Sequence, residues 1–482
     1  MNAAEAGVLV SYYLVLGALA VYSLHRLHLV RLRRRARGRP RVTADVHPPL
    51  TIQLPLYNEP NVAARLIDAV AALDYRGALD IQVLDDSTDI TTSIVAERVA
   101  AHAARGVRIA HIRRSSRDGY KAGALAHGMR MSDAELFAVF DADFVPPPDL
   151  LVRMVPYFAD PRVGMVQARW THLNRDESLL TRVQALFLDA HFAVESAARH
   201  LGGRFFNFNG TAGVWRRAAI EDAGGWSSST LTEDLDLSYR AQLAGWEFVF
   251  VNDVEVPAEL PAALSGFQDQ QHRWAKGSIQ TARKLLGTIL GSDHDRAVKR
   301  EALFHLTNNS AYLLSVILAM LIVPAMLVRY EHRLLWMFAI DVVLFAASSG
   351  SVLLFYREGQ RWAGRPAPRW RELLAVLPVG VGMSVRNAVA VVEGVFEKGG
   401  EFKRTPKRGS PLTLPSPRTR GAGGGRPGER RVCVVEMLLA IFFSGAMVAF
   451  AFGGHWGALP FLALFASGYS YFAALSFADS TS

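Results

Sequence analysis

Four clusters of acidic and polar side chains lie in a fixed order along the chain. They are Asp85-Asp86, Asp141-Ala142-Asp143, Thr232-Glu233-Asp234 and Gln270-Gln271-His272-Arg273-Trp274. Adjacent carboxylates repel each other unless a cation or a ligand compensates them. The Asp-x-Asp pattern suits a magnesium or manganese ion that also binds diphosphate oxygens. A carboxylate at the start of a helix can remove a proton from a hydroxyl group. The clusters therefore predict a diphosphate site with a general base beside it.

Each cluster also has a purely structural interpretation. We predict that Asp141 and Asp143 point the same way by strand alternation and that Asp143, with Asp141, is the metal ligand, although such a pair can form a turn or a helix cap. Asp85 and Asp86 could likewise form an Asx turn. Arg117 and Lys121 supply charge suited to a diphosphate, but they could be an ordinary solvated pair.

The third and fourth clusters are predicted to lie on helices. Thr230 or Thr232 can cap a helix that places Glu233 and Asp234 in its first turn and stops at Gly245, where helix-dipole placement alone could explain the acids. With the other clusters present, Asp234 becomes the expected base. Gln270, Arg273 and Trp274 combine an amide, a fixed cation and an aromatic face, which suits diphosphate pairing and sugar stacking, or an interfacial membrane anchor.

Short apolar runs position these clusters. Residues 50–54, 80–84, 107–112 and 136–140 alternate with helical stretches, which is typical of βαβ units and a mostly parallel sheet. Ligands of such sheets bind beyond the carboxyl ends of the strands. Asp85-Asp86, Asp141–Asp143 and the segment Tyr57-Asn58-Glu59 all fall there, which predicts that Tyr57 and Glu59 face a nucleotide.

The composition indicates a membrane protein, because 50% of the 482 residues are hydrophobic. Stretches long enough to cross a bilayer lie near 6–24, 309–328, 334–356, 436–453 and 457–478. We predict an anchor at 1–30, a soluble domain at 45–300, and two pairs of transmembrane helices at 305–356 and 434–478.

The charge distribution and the cysteine content indicate the environment in which the chain lies. Seven arginines between Arg31 and Arg41 predict a retained anchor with that end in the cytosol. The net charge of +9 is concentrated near the membrane segments, so it indicates anionic lipid headgroups and not nucleic acid. The single Cys433 excludes an intramolecular disulfide and a cysteine-based metal site, in agreement with a reducing compartment.

With these clusters in this order, the chain resembles the family 2 glycosyltransferases, in particular the membrane-embedded cellulose synthases and cellulose synthase-like mannan synthases. Further segments favour the mannan or glucomannan branch: Val166-Gln-Ala-Arg-Trp170, Phe208-Asn-Gly-Thr-Ala-Gly-Val-Trp215 and Gly224-Gly-Trp226. The resemblance spans roughly residues 48–407. It implies an α/β GT-A (Rossmann-like) domain with a transmembrane helix bundle.

The resemblance also implies roles for individual residues. Asp85 and Asp86 would lie near the nucleotide, Asp141 and Asp143 at the diphosphate and metal, and Asp234 would be the base of an inverting reaction. The acceptor side would include Arg273, Trp274 and the segment Asn209-Gly210-Thr211. A family gating loop of pattern Phe-x-x-Thr-x-Lys corresponds to Phe402, Thr405 and Lys407 within 399–408, although Arg404 stands where cellulose synthases often have valine.

That loop constrains the predicted topology. A crossing at 372–396 would put it on the wrong side, and this segment contains Arg386, Asn387 and Glu393, so we predict an amphipathic helix at the cytosolic interface. Five crossings remain, with the N terminus outside and the catalytic domain in the cytosol, at the plasma (inner) membrane. Residues 409–431 are a Pro/Gly/Arg-rich low-complexity linker.

The leading hypothesis is a processive hexosyltransferase. It would use magnesium or manganese to transfer sugar from UDP-glucose or GDP-mannose to a β-1,4-linked polysaccharide and export the chain. A non-processive enzyme acting on a membrane lipid is the alternative, and a nucleotide-binding transporter or scaffold is a third. The expected partners are a nucleotide sugar, a glycan or lipid acceptor and membrane lipids, with no nucleic acid. The sequence does not identify protein partners.

Overall fold

The computed structural model describes residues 1–36, 42–400, 407, 409 and 427–481. It consists of a mixed α/β domain and a set of long apolar helices. The first of these, α1 (Ala3–Arg35), precedes the domain, and the others follow it.

A seven-stranded sheet forms the centre of the α/β domain. Its strands are β1 (Leu50–Leu56), β2 (Leu79–Asp85), β3 (Ile109–Ile112), β4 (Leu136–Val139), β5 (Val163–His172), β6 (Gly213–Arg216) and β7 (Glu247–Ala258), in the order β3-β2-β1-β4-β6-β5-β7. The four predicted strands are confirmed as β1 to β4, and they pair in parallel. β6 is antiparallel to both of its neighbours, while β5 and β7 are parallel.

Helices cover both faces of the sheet. The helices of the α/β domain are α2 (Ala63–Ala71), α3 (Thr91–Ala103), α4 (Tyr120–Arg130), α5 (Leu150–Met154), α6 (Leu179–Ala190), α7 (Ala197–Leu201), α8 (Arg217–Asp222), α9 (Glu233–Leu243), α10 (Leu264–Gly291) and α11 (Arg296–Thr307), of which α10 and α11 pack on other helices. A π-helical segment, His191–Ser196, joins α6 to α7. Two apolar cores result. One includes Leu54 and Leu66, and the other includes Phe137 and Trp215.

The remaining helices are α12 (Ser310–Glu331), α13 (Phe338–Trp362), α14 (Trp370–Gly382), α15 (Ser384–Phe396), α16 (Pro427–Phe452) and α17 (Leu459–Thr481). Within the described part of the chain, five segments are long and apolar enough to cross a membrane: α1, α12, the segment Leu335–Trp362, the segment Val434–Phe452 and the segment Trp456–Phe477. They coincide with the five predicted stretches. If α14 and α15 together formed one broken span, the number would be six.

The single helix predicted at 372–396 is wrong. The chain forms α14 and α15, which bend by 49° at Met383. Pro378 cannot donate an intrahelical hydrogen bond, and Gly380 and Gly382 weaken the helix before the bend. A Cβ atom on Gly382 would lie 2.2 Å from the ring of Phe472, so glycine also permits α17 to pack closely there.

The predicted end of the linker is also wrong. Helix α16 begins at Pro427 and not after residue 431. A proline suits the first turn of a helix, where its missing N–H costs no hydrogen bond. Predicted gating-loop residues Phe402 and Thr405 lie outside the described residues, whereas Lys407 lies within them.

Polar and aromatic contacts bring together three parts of the chain at one end of the helix bundle. His332, after α12, pairs with Glu5 of α1 at 2.9 Å, and Tyr330 stacks against His455 between α16 and α17. Close to this end, Arg329 and Asp341 form a fully buried ion pair. The start of α1 and the two connections between the helices therefore lie together.

Candidate active site

A cavity of about 170 Å³ opens beyond the carboxyl ends of β1 and β4. Most of the residues predicted for the nucleotide, diphosphate and metal line it: Tyr57, Glu59, Asp86, Arg117, Lys121, Asp141, Asp143, Gln270 and Arg273. Lys407, predicted for the gating loop, lines it too. Glu233, Asp234, Asn209, Gly210 and Trp274 line it as well. The chain thus brings all four sequence clusters to one cavity, as expected for ligand sites in this type of sheet.

Asp141 and Asp143 follow the end of β4 in a turn, since the strand stops at Val139. Strand alternation is therefore the wrong reason for their common placement. Asp141 accepts a hydrogen bond from Lys121 Nζ at 2.5 Å, and Asp143 accepts one from Lys407 Nζ at 2.7 Å. Lysine ammonium groups thus face both carboxylates.

The side chains of Asp85 and Asp86 have different partners in the structure. Asp86 lines the cavity, and its carboxylate is held by Arg114 at 2.5 and 3.0 Å. The buried Asp85 accepts the Ser87 backbone N–H at 2.9 Å and pairs with His111 at 2.9 Å, which is the Asx-type role considered above. It does not line the cavity. The hydrogen bonds of Ser87 and His111 lower the pKa of Asp85, although burial opposes them.

Arg117 and Tyr57 form one wall of the cavity. The guanidinium of Arg117 stacks on the Tyr57 ring, 3.4 Å from its centroid, and lies 5.0 Å from the Tyr120 ring. This cation–π stack holds a charged plane and an aromatic plane together. Such a wall can contact a nucleotide through the charged plane and through the aromatic plane.

Glu233 and Asp234 start α9 inside the cavity. Thr232 is the N-cap residue, but its side chain makes no capping bond, so the predicted side-chain cap is wrong. Thr230 Oγ1 instead donates to Thr232 O, and Asp234 Oδ1 accepts the Leu235 N–H at 2.8 Å. Burial and the neighbouring carboxylate of Glu233 raise the pKa of Asp234 to about 7, and burial likewise raises the pKa of Glu233. A raised pKa near neutrality suits a general base.

The segment 209–211 packs between the two acidic clusters. Gly210 has a φ of +82°, and a Cβ atom there would lie 3.1 Å from Asp234 Oδ2. Its carbonyl accepts Lys121 Nζ at 2.8 Å, while the fully buried Thr211 hydroxyl accepts the Asp141 N–H at 2.9 Å. Thr211 lines neither this cavity nor the one described next, so it positions Asp141.

A second cavity, of about 490 Å³, extends from the site between the apolar helices. The two cavities share seven lining residues: Trp170, Leu188, Asn209, Thr232, Asp234, Gln270 and Trp274. Asp234 is therefore part of the wall between a compartment lined by cations and acids and a larger one that reaches α1, α12, α13 and α17.

The sequence motifs did not reveal the polar part of the second cavity. His191 pairs with Asn209 at 2.8 Å and with Glu195 at 3.3 Å, and Arg199 reaches both Glu195 and Glu301. His191 and Glu195 lie in the π-helical segment, a feature that often accompanies functional sites. No spacing rule could have found these residues, because each one is an unremarkable polar residue until the fold brings it to the cavity.

The residues around Asp143 fit a divalent cation. Asp141 and Asp143 supply the hard oxygen donors that magnesium and manganese prefer, and both lie in the same cavity. Lys407 Nζ pairs with Asp143 at 2.7 Å, so a divalent cation at that carboxylate would displace the ammonium group. This donor set agrees with the predicted role of the Asp-x-Asp pair.

Comparison with known proteins finds matches over the region that contains most of the candidate site. Residues 48–277 match the family model described as "Glycosyltransferase like family 2". A probable glucomannan 4-β-mannosyltransferase of Arabidopsis thaliana is 44% identical over 259 residues, which are 52% of this chain and 48% of the relative. A glucomannan 4-β-mannosyltransferase of Cyamopsis tetragonoloba is 40% identical over 298 residues, 60% of this chain and 57% of the relative.

A solved structure supports the fold. The mannosyltransferase of Pyrobaculum calidifontis, in complex with GDP-Man and Mn²⁺, superposes with a TM-score of 0.54 at 20% sequence identity, covering 81% of this chain and 99% of that one. The predicted α/β GT-A class is confirmed at the level of the fold. The present chain spans about half the length of the curated relatives it matches.

Proposed function

This chain belongs to the family 2 glycosyltransferases of the cellulose synthase-like type, and from that premise we propose that it is a membrane-embedded β-glycan synthase. It transfers a hexose from a nucleotide sugar to the end of a growing β-1,4-linked polysaccharide. Five apolar helices beside the catalytic domain support its assignment to a membrane.

The position of Asp234 carries this proposal. A transferase must bring a donor and an acceptor to one base, and Asp234 lies in the wall shared by the two cavities. The smaller cavity has the charges for a nucleoside diphosphate. The larger one leads from Asp234 and Trp274 into the helix bundle, which suits a long acceptor.

The geometry suggests a single displacement. Asp234 accepts the proton of the acceptor hydroxyl while that oxygen forms a bond to the anomeric carbon, and the bond to the diphosphate oxygen breaks with its electron pair leaving on the diphosphate. Lys121 and Arg273 lie in the same cavity to pair with the departing charge. Asp141 and Asp143 would hold a divalent cation, which supplies further positive charge to the diphosphate.

The relatives favour a mannosyl donor. Both curated relatives are named glucomannan 4-β-mannosyltransferases, and the Pyrobaculum structure contains GDP-Man. We infer GDP-mannose as the first donor and UDP-glucose as the second, since a glucomannan contains both sugars.

The packing of the helices favours five crossings, and the arginines between Arg31 and Arg41 favour a catalytic domain in the cytosol. Helix α15 lies along α10 of the catalytic domain: Arg386 donates to Gln268 Oε1 at 3.1 Å, and Lys276 pairs with Glu393 at 3.0 Å. Charged residues that bind a helix of the catalytic domain favour an interface position over a lipid-crossing one. The N terminus and the two turns of the bundle then lie outside.

A transferase acting on a membrane lipid is the second candidate function. The larger cavity favours it in one respect, because apolar residues such as Leu16, Phe461 and Phe465 line its far part. Product length separates the two candidates.

The test supplies labelled GDP-mannose, UDP-glucose or both to membranes that contain the full chain, with magnesium or manganese. Three forms are compared: wild type, Asp234→Asn and the control Asp176→Asn, which changes an exposed aspartate outside both cavities. We expect wild type and the control to make a long product that a β-mannanase digests, and Asp234→Asn to lose at least about a thousandfold in rate. A label found only in short, lipid-extractable material would support the lipid transferase. Full activity in Asp234→Asn would contradict the mechanism.

A further inference from the structure

The side chain of Gln280 in α10 bridges two segments that are distant in sequence. It is 2% exposed, and its Oε1 accepts the N–H of Leu231 at 2.9 Å. Its Nε2 donates to the carbonyl of Gly399 at 2.7 Å and to that of Glu397 at 3.4 Å. Leu231 precedes the acidic start of α9, and Glu397 follows the end of α15. One buried amide therefore contacts both the turn before the acids and the end of the interface helix.

Other side chains of α10 hold the end of α15. One turn before Gln280, Lys276 pairs with Glu393 and Glu397. One turn after it, Arg283 donates to the carbonyls of Val395 at 2.5 Å and Glu397 at 3.0 Å. Residues three and four positions apart share a face of a helix, so this face of α10 is a continuous binding surface for 393–399.

The same helix holds the turn that carries Asp234. Gly277 approaches Thr232 so closely that a Cβ atom on it would lie 2.5 Å from Thr232 Cγ2. Lys284 donates to Ser229 Oγ at 2.9 Å and pairs with Asp236 at 2.7 Å. Gln280 adds a hydrogen bond to the main chain of Leu231, three residues before Asp234.

A fixed Leu231 main chain matters for the chemistry. Leu231 and Thr232 line the smaller cavity next to Asp234, so a shift of this turn moves the carboxylate relative to both cavities. Displacement of a reacting group by about 1 Å can reduce a rate by about a hundredfold. Since Thr232 makes no side-chain cap, the α10 contacts restrain the start of α9.

We infer that Gln280 is a positioning residue, whose hydrogen bond to the Leu231 main chain fixes the turn before Asp234 against α10 and so sets the placement of the base. The consequence for sugar transfer rests on the proposed function. The restraint on the turn does not rest on the proposed function, because the Gln280 amide contacts the main chain at both ends irrespective of the substrate.

Two variants separate the hydrogen bond to Leu231 from the hydrogen bonds to Gly399 and Glu397. Gln280→Met keeps the approximate size and removes all three hydrogen bonds. Gln280→Glu keeps an acceptor for the Leu231 N–H and places a carboxylate oxygen against the carbonyls of Gly399 and Glu397, so it breaks the hydrogen bonds to them. The matched control is Gln82→Met, in which a buried amide that bridges Gln53 and Gly128 is lost within the sheet region.

Hydrogen exchange of the full chain in lipid nanodiscs gives the first readout. We expect amides in residues 229–236 to exchange at least about tenfold faster in Gln280→Met and at the wild-type rate in Gln280→Glu and Gln82→Met. Unchanged exchange in Gln280→Met, or equal acceleration in the glutamate variant, would overturn the inference. This readout stands even if the wild type transfers no sugar, which would refute the proposed function alone.

Steady-state kinetics give the second readout. We expect Gln280→Met to lower kcat about tenfold and to change the donor KM less than about threefold, because misplacement of the base acts in the transition state. Gln280→Glu should restore most of kcat. A kcat loss in Gln280→Met no larger than that in Gln82→Met would overturn the role in catalysis. If the methionine variant does not accumulate, the glutamate variant decides, since a loss above about fivefold in it contradicts the importance of the Leu231 bond.

Discussion

Asp234 and Glu233 place two carboxylates side by side in a buried cavity, and Lys121, 3.9 Å from Glu233, cannot fully compensate both of them. Burial raises the pKa of both; the charge of Glu233 raises the pKa of Asp234 further, and the charge of Asp141 raises that of Glu233. The pair thus resembles other sites in which environment, and not residue type, decides which carboxylate is ionised near neutral pH.

A pH dependence follows from this arrangement. The base must be ionised to accept a proton, and the pKa of Asp234 is raised to about 7, so the active fraction falls as the pH drops below that value. We expect kcat/KM to be level above about pH 8 and to fall about tenfold per pH unit below about pH 6. Initial rates of label incorporation between pH 5 and 9 measure it.

Glu233→Gln provides the control for the pH dependence. Removal of the neighbouring negative charge lowers the pKa of Asp234, which should move the acid limb to lower pH. An acid limb that stays in place in Glu233→Gln, or one already below pH 5 in the wild type, would contradict the assigned coupling.

Sequence patterns identified the residues of the smaller cavity better than their individual roles. The clusters predicted Asp86, Asp141, Asp143, Asp234 and Arg273 together, and all five line it. They could not show that Asp85 turns to Ser87 and His111 or that Thr211 supports Asp141. Such roles depend on which neighbouring side chain the fold supplies, and a single chain segment does not contain that information.

At the scale of elements, α10 connects the catalytic domain to α15. Arg273 and Trp274 of this helix line the cavities, while Lys276, Gln280 and Arg283 hold the end of α15. A rigid helix keeps all of these side chains in fixed relation. The sequence predicted the motif on α10, but no local pattern reveals the close packing of Gly382 against Phe472 of α17 beside the bend between α14 and α15.

Two glycines of α10 allow a matched test of this packing. Gly277→Ala should push Thr232 away, because the new Cβ atom would lie 2.5 Å from Cγ2 and 2.6 Å from Oγ1 of that residue. We expect a loss of about 1 to 3 kcal/mol in stability and at least a tenfold loss of activity. Thermal unfolding in detergent and label incorporation measure both.

The control is Gly287→Ala in the same helix, where nothing lies within 4 Å of the new Cβ atom. Alanine favours the helix, so this variant should keep full activity and gain up to about 1 kcal/mol in stability. Equal behaviour of the two variants would show that the contact with Thr232 does not restrain the start of α9.

For the whole molecule, the sequence predicted the division into a catalytic domain and a membrane bundle, because long apolar stretches and alternating short strands differ clearly in pattern. It predicted the five segments now seen as long apolar helices. The large cavity between the two parts could not be predicted, since α1, α12, α13 and α17 contribute to it from opposite ends of the chain.

Cysteine labelling tests the proposed topology. In a Cys433→Ser background, an impermeant thiol reagent applied from outside should label Glu331→Cys, which lies at the end of α12 near the first turn of the bundle. It should miss Asp293→Cys, between α10 and α11, and Lys407→Cys until the membrane is permeabilised. External labelling of Lys407→Cys together with protection of Glu331→Cys would invert the orientation.

The low-complexity segment should contribute little to function. Its composition provides few apolar side chains to bury. The helices after it nevertheless make specific contacts, since Gln268 donates to the buried Glu436 at 3.2 Å and Tyr469 bonds to Ser384. We expect that replacing residues 411–426 with a Gly-Ser sequence of equal length keeps the rate of label incorporation within about twofold. A loss above tenfold would assign the segment a role.

Helix α1 has a practical consequence for anyone who wishes to isolate the catalytic domain. With 33 residues, it is about 50 Å long, more than a bilayer core requires, and its last turns bury Leu29 and Val30 in the core formed with Leu180 and Val183. A fragment that begins after this helix would expose that apolar surface to water. Purification should therefore retain α1 and use detergent or nanodiscs from the first step, even when only donor binding is to be measured.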